Sequence, residues 1–208
     1  IAREHVLKMF IEKIEGIVGG YMNYLILVNK ANLFNKEMLG EIVLAGKDFH
    51  MKDVYLEKNI CEAVLKILND VNAIPGFNKV ILDSGYRSLE YQQHVFDYYV
   101  DRDGLDEAKK KVALVGTSEH HTGLAVDFAL NVNGEYLDEL SGNEQELIWL
   151  ADNAYKYGFI LRYPKGKESI TGYNYEPWHF RYVGSKEIAL DLKNRNLTLE
   201  EYLDGNLN

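Results

Sequence analysis

Cysteine is nearly absent: Cys61 is the only one among 208 residues. That excludes an intrachain disulfide and any cysteine-rich metal site. Its neighbours, Asn59 to Val64, read as helix, so a buried and inert thiol is the expected role. Proline is also scarce, with 3 residues. No repeat, low-complexity stretch or Pro- or Ser-rich linker interrupts the chain, so nothing marks a domain boundary. Positive charge is in deficit, 23 Lys and Arg against 32 Asp and Glu, for a formal net charge of −9. Such a chain has no basic surface for nucleic acid or an anionic membrane.

Long apolar runs are missing too. The longest uncharged stretch, Gly16 to Asn29, is broken by Gly19 and Gly20 and is too short to span a bilayer. Residues 1–18 scatter Arg3, Glu4, Lys8, Glu12, Lys13 and Glu15 among apolar positions, which the apolar region of a signal peptide does not do. A cytoplasmic location is the expectation, with membrane anchoring or secretion as the alternative if sequence precedes Ile1.

What remains is an ordinary globular composition, 47% hydrophobic and 26% charged, in a chain the size of one domain with at most a small appendage. Val6, Phe10, Ile14 and Ile17 recur at helical spacing up to Gly19-Gly20, and Tyr24 to Val28 reads as a strand. Leu56, Ile60, Val64, Ile67, Leu68 and Val71 form the stripe of a second helix, closed by Pro75-Gly76. Val80 to Leu82 is a short buried strand leading into Ser84-Gly85-Tyr86-Arg87-Ser88. Helices are expected over about 89–100, 105–115 and 143–157, strands over 124–130 and 179–183, and two helices at the end. This mixture, without regular βαβ alternation, favours an α+β fold.

The chemistry gathers in Ser118-Glu119-His120-His121-Thr122-Gly123-Leu124-Ala125-Val126-Asp127 and in Glu176-Pro177-Trp178-His179. His120, Asp127 and His179 make a plausible three-ligand set for a catalytic zinc, which keeps a fourth position for water. Alternation along 124–130 puts Leu124, Val126, Phe128 and Leu130 on the core face and Asp127 between Ala125 and Ala129 on the other. A carboxylate in such surroundings needs a compensating partner. Gly123 would allow the tight turn that brings His120 and Asp127 together. His179, Arg181 and Val183 share one face of the second segment, and Pro177 delivers Glu176 from a turn, placed to take a proton from a bound water. On the residues alone a metal-free, structural role for these histidines stays equally open. His121 should point away from the site, His5, His50 and His94 read as surface residues, and Trp178 as packing. Arg87 leaves a strand end, where a guanidinium can hold a carboxylate or an oxyanion. A structural ion pair is the alternative for it.

These segments resemble a known family. Ser118-x-His120-x-x-Gly123-x-Ala125-x-Asp127, Glu176-x-x-His179 and Gly85-Tyr86-Arg87 are similar to the motifs of the zinc D-alanyl-D-alanine peptidases, in particular the vancomycin-resistance VanY and bifunctional VanXY enzymes. Tyr157 to Pro164 and Tyr175 to Gly184 look most like the VanXY type. The likeness spans about residues 24–204. It implies one domain over 21–208, with a small antiparallel sheet flanked by helices, preceded by a helical extension over 1–20. It implies one zinc ion per chain on His120, Asp127 and His179, with Glu176 as base and Arg87 polarising the scissile carbonyl. Ser118 and Gln92 would hold the terminal D-Ala carboxylate. The implied partners are peptidoglycan precursor peptides ending in D-Ala-D-Ala, and the implied activity, removal of the last D-Ala, would contribute to glycopeptide resistance. An L,D-carboxypeptidase, an L-Ala–D-Glu endopeptidase, or a non-catalytic zinc module of the hedgehog type are the alternatives on this scaffold.

Overall fold

The computed structural model describes residues 22–205. The helix expected before Gly19, and with it the proposed 1–20 extension, lies outside them. After a single 3-10 turn, a hairpin of β1 (Ile42–Lys47) and β2 (Asp53–Glu57) leads into α1 (Lys58–Asn72). Then come β3 (Lys79–Ser84), α2 (Leu89–Asp103), α3 (Leu105–Lys111), β4 (Ala125–Val132) and β5 (Glu135–Leu137). The chain continues through α4 (Gln145–Asn153), β6 (Phe159–Leu161), a short α5 (Glu168–Thr171), β7 (His179–Tyr182), α6 (Lys186–Arg195) and α7 (Leu199–Gly205). The main sheet runs β3-β4-β7-β6, with β5 also on β4, and every pairing is antiparallel. This is the α+β architecture expected.

The core lies where the alternation of β4 put it. Leu124, Val126, Phe128 and Leu130 are buried against Ile60, Val64, Ile67 and Val71 of α1 and Leu147 and Leu150 of α4. Helix α1 begins at Lys58 because the Glu57 carboxylate accepts from the Asn59 amide, an N-cap. Leu56, expected in its stripe, is instead a buried residue of β2. It stands four before Ile60, so strand and helix share that spacing by coincidence. The hairpin itself had no expectation. The strand expected over Tyr24 to Val28 does not form: Arg181 donates to the carbonyls of Tyr24 and Ile26 at 2.9 and 2.7 Å, so those acceptors serve a side chain instead of a ladder.

The hairpin braces the loops that carry the site. The Tyr86 amide donates to Tyr55 O at 2.6 Å and the Glu57 amide to Gly123 O at 3.0 Å. Gly123 has φ +72, and a Cβ there would lie 2.5 Å from Ile42 Cδ1. Only glycine makes this turn without strain. Among the described residues, no helix is long and apolar enough to cross a membrane.

Candidate active site

Pairing across the sheet assembles the first part of the site. In the β4–β7 register Asp127 stands opposite His179, and in the β3–β4 register opposite Ser84. His120 reaches the same point from a one-turn 3-10 helix over Glu119–Thr122, capped by Ser118, whose Oγ accepts from the His120 amide at 3.3 Å. Candidate donor atoms of His120, Asp127 and His179, all three buried, lie within 4.8 Å of one another and could hold a metal ion. His120 Nε2 is 3.1 Å from Asp127 Oδ2, and His179 Nδ1 is 2.8 Å from Asp127 Oδ1. The two imidazoles meet edge to face at 4.9 Å.

The chemistry of this donor set fits zinc: two imidazoles and one carboxylate, with orienting partners behind them. His120 Nδ1 is 2.7 Å from Gly85 O. A carbonyl only accepts, so the ring proton sits on Nδ1 and Nε2 keeps its lone pair toward Asp127. Tyr163 stacks on His179 with centroids 4.8 Å apart and planes at 25°. Behind His179 lies Glu119, its Oε2 3.4 Å from Nε2.

Glu176 closes a turn onto His179, whose amide donates to Glu176 O at 3.2 Å. Its carboxylate stays outside the donor set, Oε2 lying 3.8 Å from His179 Nδ1. Burial, helped by the charges of Asp127 and Glu119 and opposed by His179 and Arg87, pushes it up to about 7. That suits a group that takes and returns a proton near neutrality. The imidazoles split: burial and the Arg87 charge hold His120 down at about 4. Burial also disfavours the charged His179, but Asp127 and Glu119 outweigh it and raise that ring to about 9. Asp127 is held well below the ordinary carboxylate range, since both histidines overcome its burial.

Arg87 joins them. Its NH2 donates to Asp127 Oδ2 at 3.1 Å, Nε to Ser84 Oγ at 3.0 Å and NH1 to Gln92 Oε1 at 3.3 Å. Its backbone is fixed as well: the Arg87 amide donates to His120 O at 3.1 Å, and His121 Nδ1 lies 2.8 Å from Arg87 O. His121 points away from the donor set, as expected, but is buried, and its Nε2 accepts from the Gly116 amide at 3.1 Å. It holds the Arg87 loop. Gln92 is fully buried on α2, and its Nε2 donates to Ala113 O at 2.8 Å.

Sequence reasoning passed over the charges behind the metal ligands. Glu119 Oε1 accepts from Arg162 Nε at 2.7 Å and Arg181 NH1 at 2.8 Å. Arg162 also grips Glu200 through NH1 and NH2, at 2.8 and 2.7 Å. All four residues are buried. The signal was present in Arg181, which shares a strand face with His179 among apolar neighbours. A buried guanidinium there demands a counter-charge, but spacing alone cannot name Glu119 or Glu200.

Comparison with known proteins decides the family. Residues 53–185 match the family described as VanY, D-alanyl-D-alanine carboxypeptidase. The chain belongs to this family. With membership comes the enzyme class, a zinc-dependent peptidase. YodJ of Bacillus subtilis is 42% identical over 202 residues, 93% of this chain and 72% of that protein. The bifunctional D-Ala-D-Ala dipeptidase and carboxypeptidase VanXYC of Enterococcus gallinarum is 38% identical, covering 88% of this chain and 95% of its own length. A D-alanyl-D-alanine carboxypeptidase of Enterococcus faecium is 33% identical across 88% of the chain, which spans only 58% of that enzyme. Among solved structures, a VanY D,D-pentapeptidase in complex with Zn(II) superposes with a TM-score of 0.73 at 33% identity, covering 86% of this chain and 98% of that one. The LdcB LD-carboxypeptidase also scores 0.73, at 40% identity over 86% of this chain and 84% of that one.

Proposed function

We propose that the chain is a D,D-carboxypeptidase and D,D-dipeptidase that removes the terminal D-Ala of D-Ala-D-Ala in peptidoglycan precursors, with one zinc ion on His120, Asp127 and His179. The observation that carries this reading is the convergence on one point of three donors, a carboxylate outside the donor set and a guanidinium, in a chain of the VanY family. The match to VanXYC along 95% of that protein's length supports the bifunctional form. Removal of D-Ala-D-Ala termini would contribute to glycopeptide resistance. A cytoplasmic site of action belongs to the same proposal.

A zinc ion so held supplies Lewis acidity toward a water and a carbonyl oxygen. Glu176 takes the proton of the attacking water and returns it to the leaving D-Ala amine. Its burial, which raises its proton affinity, makes both transfers feasible near neutral pH. Arg87 presents its donors to the negative charge that grows on the carbonyl oxygen, and Ser84 and Gln92 keep the guanidinium in place. Ser118, whose oxygen accepts from the His120 amide, retains its own hydroxyl proton for the D-Ala carboxylate. Gln92, fully buried on α2, takes part through the Arg87 guanidinium that its Oε1 holds.

One observation favours a second reading: the 40% identity with the LdcB LD-carboxypeptidase. The same machinery would then cut after an L-residue. D-Ala release from D-Ala-D-Ala, from a pentapeptide ending in D-Ala-D-Ala and from a tetrapeptide ending in an L-residue followed by D-Ala separates the two, each assayed with and without chelator. Chelator-sensitive release from the first two is expected. Release from the tetrapeptide alone establishes the second reading, and no release from any of them removes both.

A further inference from the structure

The segments that carry Ser118 and Glu176 meet at a residue outside both motifs. Tyr173 follows α5, three positions before Glu176. Its hydroxyl donates to Thr117 O at 2.8 Å and lies 3.3 Å from Thr117 Oγ1. The Thr117 carbonyl belongs to the peptide unit that leads into Ser118. We propose that Tyr173 is a positioning residue for substrate binding: by holding Thr117 it fixes the Ser118 hydroxyl where the terminal D-Ala carboxylate binds. The proposal rests on the carboxypeptidase reading above.

Ser118 is buried, and its Oγ accepts from the His120 amide at 3.3 Å. That bond places the hydroxyl only if the backbone leading into it is still. Gly116 is held on both sides, its carbonyl by the Phe34 amide at 2.7 Å and its amide by His121 Nε2 at 3.1 Å. Thr117 spends its own amide and Oγ1 on Leu114 O, at 2.9 and 2.8 Å, within one turn. Among the described residues, its hydrogen-bond partner from outside that turn is Tyr173.

Tyr173 is pinned in its turn. Its ring centroid lies 4.7 Å from that of Tyr163, and Lys30 Nζ lies 4.9 Å from it while donating to Gly172 O at 2.6 Å. Burial pushes the phenol up to about 12, so it keeps its proton and donates throughout the neutral range. Glu176 does not depend on this bond. Its amide donates to Tyr163 O and its carbonyl accepts from the His179 amide, each at 3.2 Å. Loss of the Tyr173 hydroxyl therefore loosens the grip on substrate and leaves the proton transfers intact.

The test is a double-mutant cycle on D-Ala release from D-Ala-D-Ala, with Tyr173→Phe, Ser118→Ala and the two combined. Tyr173→Phe should raise KM about five- to tenfold, the worth of one hydrogen bond, with kcat and zinc affinity within about twofold of the wild type. In the Ser118→Ala background the same substitution should move KM by less than about twofold. An unchanged KM in Tyr173→Phe overturns the proposal. So does an equal rise in both backgrounds, which would mark a purely structural contact. A fall in kcat at constant KM also overturns it, by placing the effect on Glu176. Should Tyr173→Phe fail to fold, Lys30→Met, which frees the same ring, takes its place in the cycle with the same outcomes. If the wild type releases D-Ala only from a peptide ending in an L-residue followed by D-Ala, the D,D reading alone falls, and the cycle is run on that peptide. Release from neither substrate removes the carboxypeptidase reading and the proposal with it.

Discussion

Asp127 and His179 face each other directly across β4 and β7, with Oδ1 2.8 Å from Nδ1. The other carboxylate oxygen serves His120 and Arg87 at once, each at 3.1 Å. One carboxylate thus faces both imidazoles and the Arg87 guanidinium. Asp127→Asn keeps the shape and removes the charge. Zinc affinity should fall by more than the roughly 100-fold that an outer partner costs. The zinc-stripped protein should also lose about 3–5 kcal/mol, because buried cationic groups are left without a counter-charge. Chelator competition and urea unfolding measure the two effects. An Asn variant with wild-type affinity would remove Asp127 from the donor set.

Glu176 links activity to stability in opposite directions. Its carboxyl is pushed up to about 7 from 4.5. The folded state therefore binds the proton more tightly than the unfolded one. That stabilisation is complete below pH 4.5 and is lost as pH rises to about 7, beyond which ionised Glu176 is a constant burden. With 21% of the side chain exposed, the burden is about 2 kcal/mol after allowance for screening. Glu176→Gln should retain zinc and lose turnover by about 100- to 10,000-fold. In zinc-stripped form it should be more stable than the wild type at pH 8, with the gain gone near pH 4.5. Denaturation curves at the two pH values check this, and a variant destabilised at pH 8 would contradict it.

The position of Arg181 makes the start of the described chain part of the active-site scaffold. It joins Glu119 to the carbonyls of Tyr24 and Ile26. Arg181→Leu leaves Glu119 with one guanidinium and those carbonyls without their donor. We expect about 3–5 kcal/mol of destabilisation, accompanied by earlier proteolysis within residues 22–29. Uniform protection of that segment in the variant would show that something other than Arg181 holds it.

Legibility in the sequence followed the range of the interactions. The face of β4 and the stripe of α1 could be read because each rests on local periodicity. The convergence of His120, Asp127 and His179, by contrast, was open on the residues alone and followed from the family resemblance. Tyr24 to Val28 could not be read, since its apolar run is equally that of a strand and its carbonyls are claimed by a residue some 155 positions away. The β1–β2 hairpin was invisible for another reason. Its turn rests on Asp48 accepting from the Lys52 amide and on Met51 at φ 64, not on an Asn-Gly or Asp-Gly pair. Glu119 sat in plain view between Ser118 and His120, but its role exists only through Arg162 and Arg181.

The unforeseen hairpin yields a test of how the site is held. A Cβ on Gly85 would lie 2.2 Å from Tyr55 O, a backbone atom that cannot yield. Gly85→Ala must therefore push the 85–87 loop off β2, and with it Gly85 O, the partner of His120 Nδ1. Gly76 is the opposite case: its φ is positive, at +85, as that of Gly85 is not, and nothing lies within 4 Å of the added methyl group. Gly76→Ala should cost only the left-handed backbone penalty, about 1–2 kcal/mol. Gly85→Ala should cost about 3 kcal/mol or more from overpacking and weaken zinc binding as well. Urea unfolding with a zinc titration on each variant distinguishes them. If Gly85→Ala lost stability while zinc affinity stayed at the wild-type level, His120 would be oriented by Ser118 and the β4 strand, and the hairpin would brace the fold without bracing the metal.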